Sequence, residues 1–220
     1  AGDGSKDPTD GAPYVVKRAG LTFQFADSLF QAQMNANDFN QGGWAASQMR
    51  NQTLSTNGEI YKNLAISSNI KPVYKFNNND GGDITTEEDP APWQEVTTAT
   101  RDELFLLSLP ETLGAQVGEG SNQTPGRWRE WVNHGGYQYE YFSKVLGVFN
   151  DADDASASNE SHKALSRRWG RGAALSKWFL TFPSYDNRFG IINEVGLYAE
   201  NASFNGGVVP AFCLSWERRG

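Results

Sequence analysis

The stretch WFLTFPSYDNRFGIINEVGLYAENASFNGGVVPAFCL, residues 178–214, decides the fold. Two apolar runs bracket it, Trp178 to Phe182 and Val208 to Leu214. Between them the chain is interrupted at Pro183, Gly190, Gly196 and Gly206-Gly207. Apolar runs cut this often by turn formers read as short antiparallel strands. The turns carry Ser184, Tyr185, Asp186, Asn187, Arg188 and Phe189. Aromatic, polar and charged side chains held up on rigid strands are what a binding surface needs.

Outside this block the chain has the size of one domain. Its 220 residues suffice for a sizeable core. Residues 1–13 open with a polar, Gly/Asp-rich run and read as a flexible lead-in or an expression remnant, which leaves 14–220 as a single domain. The net charge of −7 argues against nucleic-acid binding, which depends on Lys and Arg neutralising phosphates. It argues equally against docking on an anionic membrane. No run approaches the length of a membrane span, so no membrane insertion is expected. The single cysteine, Cys213, excludes an internal disulfide and sits in an apolar run, which predicts a buried, inert thiol.

Local patterns fill in the rest. Tyr14 to Lys17 and Leu21 to Phe25 alternate like two short strands, with Leu21, Phe23 and Phe25 on one face. Asn35 to Gly43 is a loop by composition, and Ala45 to Leu54 and Glu59 to Ala65 are short helices. Ile70 to Phe76 is a strand in which Pro72 marks an edge or a start. The polar run from Asn77 continues as a loop to about Thr100. Its acidic residues Glu87, Glu88 and Asp89 match no calcium-loop spacing, so they read as solvated. Leu104 to Leu107 predicts a buried strand, and Ser108-Leu109-Pro110-Glu111 fits a capping box. Trp128 and Trp131 among Arg127, Arg129 and Glu130 form an aromatic–basic cluster of a kind that can stack sugars or bases but is more often packing with amphipathic rims. Tyr137 to Leu146 predicts a helix with Tyr137, Tyr141 and Val145 on one face.

Catalytic patterns are missing from the sequence. His134 and His162 belong to no metal-ligand spacing, and one cysteine cannot complete a thiolate zinc site. There is no Gly-x-Ser-x-Gly elbow and no phosphate-cradling glycine loop. A carboxylate pair for glycoside hydrolysis is not singled out by the sequence. The expectation is a protein without catalytic residues, metal or cofactor.

One resemblance adds to this reading. Gly42-Gly43-Trp44, Met49-Arg50, Ile70-Lys71-Pro72-Val73, Asp102-Glu103-Leu104-Phe105-Leu106-Leu107-Ser108 and Gln138-Tyr139-Glu140-Tyr141 occur in an order that resembles a family of bacterial and phage domains with a C-type-lectin-like fold. That family ends with a Trp-Trp-Leu-Arg-Ser-Pro run and, further on, Gly-Val-Arg-Pro-Ala. Here those places hold Trp178-Phe179-Leu180-Thr181-Phe182-Pro183 and Gly207-Val208-Val209-Pro210-Ala211. The resemblance implies an α+β fold, with short helices packed on twisted antiparallel strands and much loop.

Some members of that family are variable proteins of diversity-generating retroelements. In them, error-prone reverse transcription at template adenines rewrites codons near the C-terminus. Many target codons are Asn codons, whose products never include Lys, Gln, Glu, Met or Trp. From Thr181 to Asn193 none of these types occurs, and the departures at Thr181, Phe182 and Val209 are all accessible products. Trp169 is then a fixed residue. The resemblance thus implies a variable region over about 167–214, with a ligand-binding surface of Arg168, Arg171, Thr181, Phe182, Ser184, Tyr185, Asn187, Arg188, Phe189, Ile191 and Val209. Trp178, Leu180, Pro210 and Phe212 would pin the framework, with Tyr185, Asn187, Arg188 and Phe189 exposed. The implied partner is a cell-surface protein or glycan, and the carrier a virion or a cell surface, with oligomerisation left open.

Two alternatives come with the resemblance. One is a structural virion or surface-assembly component whose C-terminal block is a fixed contact. The other is an enzyme like the formylglycine-generating enzymes, which share the broad fold but use paired cysteines where this chain has one. Calcium-dependent sugar binding lacks its Glu-Pro-Asn or Gln-Pro-Asp tripeptide here.

Overall fold

The computed structural model describes residues 21–78, 97–108, 111–112, 139–146, 167–168, 175–176, 178–184, 187–193 and 196–214. They form an α+β arrangement of short helices and small sheets. The first and last strands lie side by side: β1 (Thr22–Gln24) pairs antiparallel with β12 (Ala211–Leu214), which pairs on its other edge with β3 (Ile70–Lys71). Phe23 and Phe25 both set their rings against Phe212, at 5.7 and 5.8 Å between centroids. Leu21 and Phe23 nevertheless stay largely exposed, so this apolar face is an outer one.

The 178–214 block supplies most of the larger sheet. Its order is β10 (Gly196–Asn201), β9 (Arg188–Asn193), β8 (Trp178–Ser184), β11 (Gly206–Val208) and β2 (Phe30–Ala32). The pairs are antiparallel as expected, except that β11 runs parallel to β8, with Gly207 opposite Trp178. Between the pairs Phe179↔Ile191 and Pro183↔Phe189, three residues of β8 face the single residue Gly190. Such a bulge accommodates Pro183, which has no N–H for the ladder. It also turns Leu180 and Thr181 into the core, where the Thr181 N–H donates to the Leu107 carbonyl at 3.1 Å. Neighbouring residues on a strand point to opposite faces. Ile191 and Ile192 are both fully buried, so both faces of β9 are covered.

The strand expected at Ile70 to Phe76 is present and is broken at the proline, into β3 and β4 (Val73–Asn78). β4 pairs with β5 (Thr97–Asp102), so the strand resumes before the expected end of the polar loop. A two-stranded ladder joins β6 (Arg167–Arg168) to β7 (Leu175–Ser176).

Three expectations require correction. Ala45 to Leu54 is not one helix but α1 (Gly43–Ala46) followed by a π-helical turn, Met49–Thr53. Ser47 lies at the break: its hydroxyl donates to the Trp44 carbonyl and accepts from the Arg50 N–H, competing with the helix ladder. Leu104 to Leu107 is buried throughout, but among the described residues it makes one bridge, Phe105 to Ala211, and no strand. The edge of β12 is shared, because β3 already pairs with Cys213 and Leu214. Finally, the expected apolar face of the helix near residue 141 points outward. Tyr141 and Val145 are 54% and 68% exposed on a π-helical turn, Tyr141–Val145, while Phe142 is buried. Tyr137 lies outside the described residues, as do Tyr14 to Lys17.

The second helix forms as α2 (Glu59–Asn63), with Ile60 and Leu64 packed against the core. Gly42 caps the start of α1, and its φ of 81° favours glycine. A Cβ there would also lie 2.5 Å from the Ala46 Cβ.

Candidate functional site

Two buried polar nodes hold the sheets and helices together. In the first, Asp102 at the end of β5 accepts three hydrogen bonds. Trp44 Nε1 donates to its Oδ2 at 2.9 Å, Thr100 Oγ1 to the same oxygen at 2.6 Å, and Arg50 Nε to its Oδ1 at 2.7 Å. Trp44 is fully buried, so its N–H has to find an acceptor inside the protein. This node ties α1, the π-helical turn and β5 to one carboxylate.

The second node is the capping box at residue 108. Glu111 Oε2 accepts from the Ser108 N–H at 2.8 Å, and Ser108 Oγ accepts from the Glu111 N–H at 3.4 Å. This is the reciprocal pair expected from the sequence. What the sequence did not signal is that Lys75 Nζ, from β4, forms a buried ion pair with the same Glu111 oxygen. The ammonium also lies 4.6 Å from the centroid of the Phe105 ring. Burial alone would push the Glu111 carboxyl up. The Lys75 charge and the hydrogen bonds from Lys75 and Ser108 outweigh it and bring the pKa to about 2. Burial and the nearby Glu111 carboxylate push the Tyr139 phenol well above its ordinary value.

Cys213 is buried, with its Sγ 3.2 Å from Thr22 Oγ1, and burial pushes the thiol up. A raised thiol is a poor nucleophile at neutral pH. Among the described residues, no group of three His, Cys, Asp or Glu side chains is placed to hold a metal ion. No described helix is long and apolar enough to cross a membrane. The two histidines, Trp128 and Trp131 with the arginines around them, Trp169 and the acidic loop lie outside the described residues.

The candidate surface lies at the end of the larger sheet where β8 passes to β9. Asn187 and Arg188 are half-buried there. Their main chain is held from two sides. The Ala202 N–H donates to the Asn187 carbonyl at 2.7 Å, and Asn40 Nδ2 donates to the Arg188 carbonyl at 2.7 Å. Asn40 is itself buried. Beside it Asp38 accepts from Asn201 Nδ2 at 3.0 Å and from both the N–H (3.1 Å) and the hydroxyl of Ser203. The Ser203 hydrogen bonds, side chain first and then main chain, hold the Asp38 carboxyl below its ordinary value.

The other expected surface residues divide. Phe189, expected to be exposed, is fully buried, as are Thr181, Ile191 and Val209. The bulge turns Thr181 inward, and β9 has cover on both faces, which explains three of the four. Val209 follows directly on β11, between two other buried residues. None of these four side chains reaches solvent, so the candidate surface narrows to the strand ends. Phe182 and Ser184 are positions of β8, with Ser184 opposite Arg188, and Arg168 is in β6 opposite Leu175. Arg171 and Tyr185 lie outside the described residues. Of the expected framework residues, Leu180, Pro210 and Phe212 are buried. The sequence reading missed Asp38 and Asn40, which it passed over as loop. Their signal was the density of Asn and Asp over residues 35–40, types that hydrogen-bond nearby backbone.

Among the described residues, the Thr181 hydroxyl has no hydrogen-bond partner. Valine has nearly the same shape without the hydroxyl. Thr181→Val is therefore expected to stabilise the fold by about 1 kcal/mol, a rise in Tm of roughly 2–4 °C in thermal unfolding.

The chain is thus an α+β domain with one backbone-braced strand end. It belongs to the family described as Domain of unknown function (DUF6273), whose model matches residues 19–216. No curated protein and no solved structure matches it.

Proposed function

We propose that this chain is a non-enzymatic binding protein of C-type-lectin-like fold that displays the β8–β9 end, where Asn187 and Arg188 lie, as part of a ligand-binding surface. In the same proposal, a diversity-generating retroelement rewrites the codons of that surface. The ligand is a protein or glycan on a cell surface, and the carrier a virion or a displayed surface protein. The observation that supports this reading is the bracing of the β8–β9 end. The bonds from Ala202 and Asn40 reach only the carbonyls of residues 187 and 188. They persist whatever side chains stand there, which is what a surface that must tolerate many sequences requires.

Randomising Asn187 and Arg188 in the full chain tests this. Surface changes cost within about 0.5 kcal/mol each, so most variants are expected to unfold cooperatively within roughly 5 °C of the parent. Randomising Phe189 to Ile192 instead is expected to abolish the transition in most variants, since truncating one buried aromatic costs about 3–5 kcal/mol. Equal damage from both libraries would remove the support for a display surface.

A further inference from the structure

We infer that Asn205 is a site of spontaneous deamidation, a covalent modification that the turn between β10 and β11 undergoes in the folded chain. The inference stands apart from the display reading. Asparagine is among the chemically labile residues, and the dipeptide Asn-Gly occurs twice in the sequence, at Asn57-Gly58 and Asn205-Gly206. Glycine has no Cβ, so its main-chain nitrogen can approach the side chain of the residue before it. In the reaction the Gly206 nitrogen attacks the Asn205 Cγ. The new N–C bond closes a succinimide ring, and the side-chain nitrogen leaves as ammonia, taking the Gly206 proton. Water then opens the ring to aspartate or to isoaspartate, and nothing is oxidised or reduced.

The fold separates the two sites. Both asparagines are exposed and both glycines buried, so what differs is the hold on each glycine nitrogen. The Gly206 N–H donates to the Phe204 carbonyl, two residues back, at 3.1 Å. A bond closed over so short a loop is bent, and bent hydrogen bonds are weak. The Gly58 N–H donates to the Ser55 carbonyl at 2.8 Å, closing a wider turn. The carbonyl oxygens of Thr53, Gln52 and Ser55 also lie 2.6, 2.7 and 3.1 Å from where a Cβ of Gly58 would stand. The attacking nitrogen has to give up its proton and carry negative charge, which carbonyl oxygens at close range disfavour. Asn205 is therefore the reactive site and Asn57 the protected one.

The position gives the modification a structural consequence. Isoaspartate routes the main chain through the side-chain carbon and so lengthens it just before β11. Gly206 pairs with Ala32, and Gly207 with Gln31 and Trp178, all within a buried strand. On the other side the Phe204 N–H is tied to the Asn201 carbonyl at 2.9 Å, and the Phe204 ring packs edge-on to Phe179. A longer main chain cannot keep both the turn and the strand register as they are.

The test incubates the full chain at mildly alkaline pH, folded and, in parallel, unfolded in urea. Tryptic peptides are followed by mass spectrometry for replacement of the amide by a carboxylate. In urea the two Asn-Gly sites are expected to convert alike. In the folded chain Asn205 is expected to convert roughly five- to tenfold faster than Asn57, the factor that one retained hydrogen bond represents. The incubated parent is expected to lose roughly 2–4 °C in Tm, while Asn205→Ser, a surface change, keeps its Tm through the same incubation. Asn57 converting as fast as Asn205 in the folded chain would overturn the inference. So would an Asn205 that stays intact in the folded chain while it converts in urea. Isoaspartate at 205 with an unchanged Tm would overturn the consequence for β11.

Discussion

Lys75→Met is expected to destabilise the fold by about 3–5 kcal/mol, because it leaves the Glu111 carboxylate buried without its cation. Both partners of this ion pair are about 1% exposed, so solvent cannot replace the lost charge. For a domain of this size the loss lowers Tm by roughly 6–20 °C in thermal unfolding. The pH dependence should also reverse. In the parent protein Glu111 titrates at about 2, below its ordinary 4.5. Its contribution is fully present above the ordinary value and is lost as pH falls through about 2. Without Lys75, burial dominates and the carboxyl is pushed up. The variant then gains stability on acidification from pH 7 towards pH 5, where the parent does not gain from this group. Lys75→Met with Glu111→Gln removes both charges while keeping an acceptor for the Ser108 cap. It should recover most of the loss. If the single variant is as stable as the parent, or the double variant is no better than the single, the ion pair does not hold the core as described.

Asp102→Ala is the second large effect. It leaves the buried Trp44 N–H and the Thr100 hydroxyl without their acceptor and removes the ion pair of Arg50, which keeps its bonds to Ala45 and Asn51. An orphaned buried donor costs about 1–3 kcal/mol, so the substitution is expected to cost roughly 2–4 kcal/mol in denaturant unfolding. The loss should be coupled to Trp44. In a cycle with Trp44→Phe, which removes the indole N–H, the double variant should cost less than the sum of the singles by roughly 1 kcal/mol or more. Additive losses would mean that the Trp44–Asp102 bond carries no stability of its own. Because α1 packs on β8, this node also steadies the strand that leads into the proposed display end.

The sequence was most informative where local chemistry decides structure. Pro72 broke the strand, Ser108 and Glu111 formed their box, and Cys213 was buried in its apolar run. The run from Trp178 to Leu214 became strands, but Pro183, Gly190 and Gly206-Gly207, expected in turns, lie inside β8, β9 and β11. The resemblance motifs also acquire a physical reason: Trp44, Arg50 and Asp102 meet in one hydrogen-bonded node. Long-range effects were not legible. Periodicity could not show that β9 is covered on both faces or that β8 carries a bulge, and so Phe189 was placed outside when it lies in the core. Nor could it show that Tyr141 and Val145 face solvent, since a π-helical turn rotates side chains away from the positions of an α-helix. The Asp38–Asn40 loop escaped notice because its partners are more than a hundred residues away in the chain.

The most direct test of a diversified display surface is the DNA sequence around the gene. A near-copy of the codons for about residues 167–214 is expected close to a reverse transcriptase, with mismatches confined to template adenines. Those mismatches should fall on codons for residues 184–188 and spare Leu180, Phe189 and Ile192, which the core requires. If there is no such copy, or if its mismatches fall as often on the buried positions as on the strand ends, the proposed function is contradicted. The C-terminal block would then be a fixed surface.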